Sequence, residues 1–311
     1  MVMDDDDEDE DDGWAVMRME GNKRKRKEEG GRKGGIEGGE EEKGHGYLER
    51  LVDAARSAVR SGHYEFGFTI HHSRIISMSN AILSCRRSGK NAIIAEVKFA
   101  SPSMGRIRDY TSPQTIARDM VDAGAIALSV LTQPNYFNGS IEYLMNVRVA
   151  VDVPLLMKDI IVSREQVDAA YRAGADCILL ISSIYAEGLA DDTLEHMIDR
   201  AHAYGLEVIL EVHDEDEFAQ ALKSDADMIG INNRDLKSMD VDVSNTARVL
   251  AKYKDDNDEA TTNKPIISES GISSVEHIRY LKQYKVDAFL IGTSIMASDN
   301  IKSKVRELVM A

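Results

Sequence analysis

The sequence has only two cysteines, Cys85 and Cys177, in unrelated segments and without metal-ligand spacing. That excludes a disulfide framework and a zinc site, and makes a reducing compartment the expectation. No apolar run approaches the roughly 20 residues of a membrane span, and the charged front has none of the marks of a signal peptide. A cytoplasmic protein without a membrane partner is therefore expected. Positive charge is also in short supply: 38 Lys and Arg stand against 54 Asp and Glu, a formal net charge of −16. This argues against a nucleic-acid or lipid-surface partner for the folded part. No metal constellation is visible: His71 and His72 are neighbours in a helical pattern, and His213 stands alone beyond Val212 as a satisfied or exposed histidine.

The 311 residues, 43% of them hydrophobic, suffice for a large buried core. The front is the exception. An acidic run from Asp4 to Asp12 is followed by a basic cluster, Lys23 to Lys27, and by Gly-rich sequence up to Gly46. Such a stretch buries too little apolar surface to offset its ordering entropy, so residues 1–46 are expected to be a disordered, solvated tail. The basic cluster is short and flanked by acid, which weakens it as a targeting or nucleic-acid patch. Met17 and Met19, just past the acidic run, offer internal starts.

From Tyr47 to Arg87 the pattern is helical, with Leu48, Leu51, Val52, Ala55, Val59 and then Ile75, Ile76, Ala81 and Ile82 at three- and four-residue spacing. This predicts a helical extension over 47–90. Short apolar runs then alternate with amphipathic stretches, the rhythm of βα units in a parallel sheet. The runs are NAIIAEVK (91–98), AIALSVL (125–131), PLLMKD (154–159), DCILLI (176–181), LEVILEV (206–212), DMIGIN (227–232), KPIISES (264–270) and DAFLIG (287–292). Several of the intervening helical patterns end in AGA or YGL, the mark of a C-cap glycine. Eight units in about 220 residues predict a closed (β/α)8 barrel over 47–311. An open doubly wound sheet would place a G-x-G-x-x-G after its first strand, where this chain has EVKFASPS.

Barrel enzymes carry their reactive groups at the C-terminal ends of the strands. Here those ends are polar: Glu96 and Lys98, Lys158, Glu211, Asn232, then Glu269 and Ser270. Lysines and glutamates inside apolar strands are costly unless paired, so their convergence on one rim needs a shared explanation. Burial and neighbours can bring a lysine pKa down and a glutamate pKa up, which suits proton transfer near neutral pH. Strands seven and eight close with SESGIS and LIGTSIM, placing glycines before helix N-termini as in a barrel phosphate site. Ser101 and Ser103 add hydroxyls from the first loop.

The strings IAEVKFASPSMG, SVLTQPNYFNGS, LLMKDIIV, GADCILLI, LEVILEVH, IGINNRDL, ISESGI and FLIGTSIM, in this order, resemble the indole-3-glycerol phosphate synthases over essentially 47–311. The resemblance implies conversion of 1-(2-carboxyphenylamino)-1-deoxyribulose 5-phosphate to indole-3-glycerol phosphate, with loss of CO2 and water and without a cofactor or metal. It implies Lys158 as general acid, Lys98 as partner of the substrate carboxylate, and Glu211 as the base of the dehydration. Glu96 and Asn232 would hold these groups, Ser270 would line the anthranilate side, and Arg234 would organise the mouth. The phosphate would rest on Ser101, Gly271, Gly292 and Thr293. A monomer or weak homodimer, open to association with other enzymes of tryptophan biosynthesis, is implied as well.

The chain departs from that family's usual pattern at Phe99 and Met104, where basic residues are common, at Gln133 in place of an acid, and at Ile160 in place of an aromatic. Fewer charges near loop one predict a weaker hold on phosphate, and Ile160 a looser fit against an anthranilate ring. Two other readings stay open. One is another phosphate-binding barrel, such as a phosphoribosylanthranilate isomerase with its Cys/Asp pair, although no cysteine ends the first strand. The other is an inactive barrel serving as a scaffold, against which the intact Lys98, Lys158 and Glu211 argue.

Overall fold

The computed structural model describes residues 46–70, 74–253 and 264–311. Eight parallel strands close into a barrel: β1 (Ala92–Val97), β2 (Ala127–Leu131), β3 (Leu155–Lys158), β4 (Cys177–Ile181), β5 (Glu207–Val212), β6 (Met228–Asn232), β7 (Ile266–Glu269) and β8 (Ala288–Ile291). Each strand pairs with its neighbours in sequence and β8 closes onto β1, with Ala95 opposite Ile291. A helix follows each strand, as a right-handed parallel barrel requires. The predicted expected fold is therefore the observed one. Helices Pro113–Asp122 and Arg164–Arg172 end immediately before an AGA string, as the sequence predicts, and the glycines of those strings, Gly124 and Gly174, adopt φ +106° and +85°.

Apolar side chains divide into two sets because strand residues alternate between faces. One set, including Ile93, Leu128, Leu155 and Phe289, packs outward against the helical shell. The other, including Ile94, Leu156, Leu179, Ile209, Met228 and Ile267, fills the lumen. The lumen set is continued by Leu48, Leu51, Val52 and Ala55 of α1 (Tyr47–Arg60), and by Met78 and Ile82 of α2 (Met78–Arg87). These two helices precede the barrel in sequence and cover its two ends. α1 lies across the end at which the strands finish, where Arg56 donates to Leu189 O at 2.8 Å and Asn135 donates to Ala54 O at 3.2 Å. α2 lies against the opposite end, its N-terminus held by Glu207, which accepts from the Met78 and Ser79 amides at 2.6 and 3.0 Å.

The continuous helical pattern expected over 47–87 is thus interrupted. Ile75 and Ile76 stand outside the helices, because the chain must pass from one end of the barrel to the other before α2 begins at its Ser77 N-cap. The expected tail over 1–46 falls, but for Gly46, outside the described residues, as do His71 and His72. Cys85 and Cys177 are free and buried. Among the described residues no helix is long and apolar enough to cross a membrane.

Carboxylates at the starts of strands lock the opposite end of the barrel. Asp176 is the most buried: it accepts from Arg148 at 2.9 Å, from the Leu155 amide at 2.8 Å and from the Ile76 amide at 2.7 Å, tying β3, β4 and the approach to α2 together. Replacing it strands a buried guanidinium, so Asp176→Ala is expected to lower stability by about 3–5 kcal/mol, read as a reduced urea midpoint. A loss below about 1 kcal/mol would show that the guanidinium finds other partners.

Candidate active site

The strand ends bring the sequence-predicted residues together. Glu96, Lys98, Ser101, Lys158, Glu211, Asn232, Arg234, Ser270, Gly271, Gly292 and Thr293 all line one cavity of about 400 Å³ at the catalytic end. The register explains why: Glu211 is level with Gly230, and Asn232 with Glu269, so side chains from successive strands meet at one height.

The floor is ionic. Lys158 Nζ lies 2.7 Å from Glu211 Oε2 and 3.4 Å from Glu269 Oε2, and Lys98 Nζ lies 2.5 Å from Glu96 Oε1. Asn232 donates to the other oxygen of Glu211 at 2.8 Å, while its own carbonyl side-chain oxygen accepts from the Arg234 amide at 2.9 Å. Burial pushes the Lys158 pKa down, but Glu211, Glu269 and Glu96 outweigh it and the net direction is up. The sequence-based expectation of a lysine brought down does not apply here, because the ammonium sits among more carboxylates than its desolvation can offset. Glu269 moves as expected for a glutamate: burial, Glu211 and Glu96 raise its pKa well above the usual range, with Lys158 opposing.

One wall is apolar, formed by Leu51 of α1 with Leu131, Phe137, Ile160 and Ile181. The opposite sector, from loops one, seven and eight, is polar. There Ser101 Oγ is buried and has no hydrogen-bond partner. Gly271 follows Ser270 with φ +75° and +67°, and Asn233 holds the Ser270 carbonyl at 3.0 Å. Thr293 opens a four-residue helix, Thr293–Met296. Loop one folds back as a short hairpin pairing Ser101 with Gly105, and Arg108 anchors it to Met296 O at 2.7 Å.

The departures from the family pattern divide. Met104 is at the cavity's exposed lip and Ile160 in its wall. Phe99 faces the other way, packed on Tyr110 and Tyr143 with ring centroids 5.5 Å apart in both pairs. Its missing charge therefore does not bear on the cavity, in contrast to the sequence-based expectation. Gln133 donates weakly to Asp159 at 3.4 Å and accepts from the Asn135 amide at 3.1 Å, shaping loop two. His213, as expected, is satisfied, with Nδ1 2.9 Å from Asn232 O.

A family model described as indole-3-glycerol phosphate synthase matches residues 48–308. The chain belongs to that family. It is 41% identical over 265 residues to an indole-3-glycerol phosphate synthase of Methanocaldococcus jannaschii, covering 85% of this chain and 94% of the relative. It is 46% identical over 217 residues to one of Aquifex aeolicus, covering 70% and 80%. A thiamine phosphate pyrophosphorylase from Pyrococcus furiosus shares the fold alone, with a TM-score of 0.50 at 16% identity over 70% of this chain and 93% of that one.

Within this indole-3-glycerol phosphate synthase fold, two residues lacked a place in the sequence-based site. Glu269 was visible as a strand end, but only its 3.4 Å approach to Lys158 shows that two glutamates share one ammonium. Asp159 lines the cavity behind Lys158 and accepts from Tyr64 OH at 2.9 Å, from the Ile160 amide at 2.8 Å and from the Thr132 hydroxyl. Its signal was the polar residue following Lys158, which an external salt bridge would have explained equally well. Gly230 is required by Glu269: a Cβ there would run into Glu269 Oε1. Gly230→Ala is expected to leave a folded barrel with kcat reduced about 10²-fold by displacement of Glu269. Unchanged kcat would show that this carboxyl need not occupy its present position.

Proposed function

We propose that this chain converts 1-(2-carboxyphenylamino)-1-deoxyribulose 5-phosphate to indole-3-glycerol phosphate, releasing CO2 and water, by general acid/base catalysis. One observation carries the reading: a buried ammonium, Lys158, is held by two carboxylates between an apolar wall and a polar sector with an unpartnered serine and glycine turns. An aromatic ring, a carbonyl and a phosphate in one molecule match that sequence of environments. The steps use side chains of this chain only.

In the first step the ring carbon bearing the carboxylate attacks the ribulose C2 carbonyl. As that C–C bond forms, Lys158 delivers a proton to the carbonyl oxygen, which would otherwise carry a full negative charge in a dry site. The raised pKa of Lys158 keeps it charged until this moment. Next the bond between the ring and its carboxylate breaks, CO2 leaves, and the electron pair restores the aromatic ring. Finally Glu211, oriented by Asn232, takes a proton from the C1 methylene, the C1–C2 double bond of the indole forms, and the new hydroxyl, protonated by Lys98, leaves as water. Lys98, fixed by Glu96, faces the ring carboxylate. Ser101, Gly271, Gly292 and Thr293 hold the phosphate away from the reacting carbons and supply orientation. Ser270, expected on the anthranilate side, instead opens the loop-seven turn beside them in this reading, and Arg234 borders the mouth.

The isomerase alternative loses support because Cys85 sits in α2 and Cys177 begins β4, so neither cysteine lines the cavity. The scaffold alternative leaves the paired lysines and glutamates without a task.

Fluorescence detection of indole-3-glycerol phosphate, without added metal or nucleotide, tests the reading. The parent is expected to turn over, and Lys158→Ala to lose about 10²–10⁴-fold in kcat. A parent that binds the substrate without turnover would favour the scaffold, and one that does not bind it would overturn the substrate assignment. In the same assay, Ser101→Ala is expected to raise KM about tenfold with kcat little changed, as removal of a ground-state phosphate contact requires. Unaltered KM would place the phosphate elsewhere.

A further inference from the structure

The helix that precedes the barrel contributes a polar atom to the cavity that neither the network nor the proposed steps use. Tyr47, the first residue of α1, lines the cavity, and its hydroxyl is buried without a hydrogen-bond partner. A buried phenol of this kind forfeits its hydrogen bond to water, so its retention asks for an acceptor supplied by something else. The ring is held in place. Tyr136 of loop two stands 6.3 Å away, centroid to centroid, and the Arg50 guanidinium lies 5.3 Å over the ring. Burial raises the phenol pKa, so the group is a donor throughout the working pH range.

Its neighbourhood selects the acceptor. Tyr47 shares the cavity wall with Leu51 and Phe137, and Arg234 is close enough for the two groups to influence each other's ionisation. Arg234 donates to Met239 O at 2.9 Å, and among the described residues no carboxylate forms an ion pair with it. A fixed neutral donor beside a guanidinium without an anionic partner suits an anion. The phosphate is the wrong one, because loops one, seven and eight form one sector of the strand order, whereas Tyr47 meets loop two through Tyr136. The anion left is the carboxylate on the substrate's ring.

We propose that Tyr47 donates a hydrogen bond to the ring carboxylate, so that the helix preceding the barrel helps select an ortho-carboxylated aniline. The inference rests on the proposed function. Lys98 takes one carboxylate oxygen and Tyr47 the other. A neutral donor fixes the orientation of the carboxylate without adding a second positive charge that would hold back the electron pair the ring must regain when CO2 leaves.

Calorimetric titration with two unreactive probes tests this: the substrate with its C2 carbonyl reduced to an alcohol, and the same compound without the carboxyl group. Tyr47→Phe removes one oxygen and keeps the ring contacts, so its unfolding temperature is expected to match the parent's. It is expected to weaken the carboxylated probe about tenfold and leave the other probe's affinity unchanged. Equal weakening of both probes, or of neither, in a parent that turns over substrate overturns the role of Tyr47 and leaves the function standing. A parent that binds neither probe overturns the function and this inference together.

Discussion

The structure turns on an ammonium shared by two carboxylates inside a closed barrel. Lys158 sits 2.7 Å from Glu211 and 3.4 Å from Glu269, and none of the three would be tolerable there alone. With Lys98 and Glu96 the floor holds two lysines and three glutamates. Burial and the neighbouring Glu211 and Glu96 raise the Glu269 pKa, and Lys158 opposes them. Everything nearby serves this arrangement: Asn232 fixes Glu211, and the missing side chain of Gly230 admits Glu269. A site of this kind is charged before substrate arrives and needs little reorganisation as the carbonyl oxygen gains electrons.

The two helices before β1 make that floor possible. A barrel lumen is open at both ends unless something apolar covers it. Here α2 contributes Met78 and Ile82 to the lumen core, and α1 contributes Leu48, Leu51, Val52 and Ala55. α1 also forms part of the cavity wall, so one element both protects the core and shapes the space for an aromatic ring. At the far end, Asp176, Glu207, Asp227 and Asp287 each accept a backbone amide, of Leu155, Met78, Val208 and Ile266 respectively. The barrel therefore separates its tasks by end, with acids that bind backbone on one side and acids that face the cavity on the other.

Much of this was legible in the residues. Buried parallel strands read as short apolar runs, and each of the eight runs contains one strand of the barrel. Glu96, Lys98, Lys158 and Glu211 stood out because a lysine or glutamate at the end of such a run is costly without a partner, whereas Arg234 and Thr293 were named only through the family resemblance. What the pattern over 47–87 could not show was where the helices break, since Ile75 and Ile76 continue the spacing of a helix while lying in a connection. Phe99 misled for a related reason: adjacency to Lys98 suggested a shared site, but alternate strand-end residues face opposite ways, and Phe99 joins the aromatic cluster of Tyr110 and Tyr143.

By itself the sequence determined the closed parallel barrel, the rim on which the charged groups gather and the identity of those groups, because periodicity and strand ends are local properties of the chain. Only the tertiary structure decided which carboxylate meets which ammonium, and in which direction each pKa moves. Those depend on distances across the lumen between strands far apart in sequence, and on how deeply each group is buried. The direction for Lys158 reversed for that reason: its burial could be inferred from the chain, but the number of glutamates around it was set by closure of the barrel. The hydroxyl of Tyr47 likewise reached the cavity only because α1 folds over the mouth.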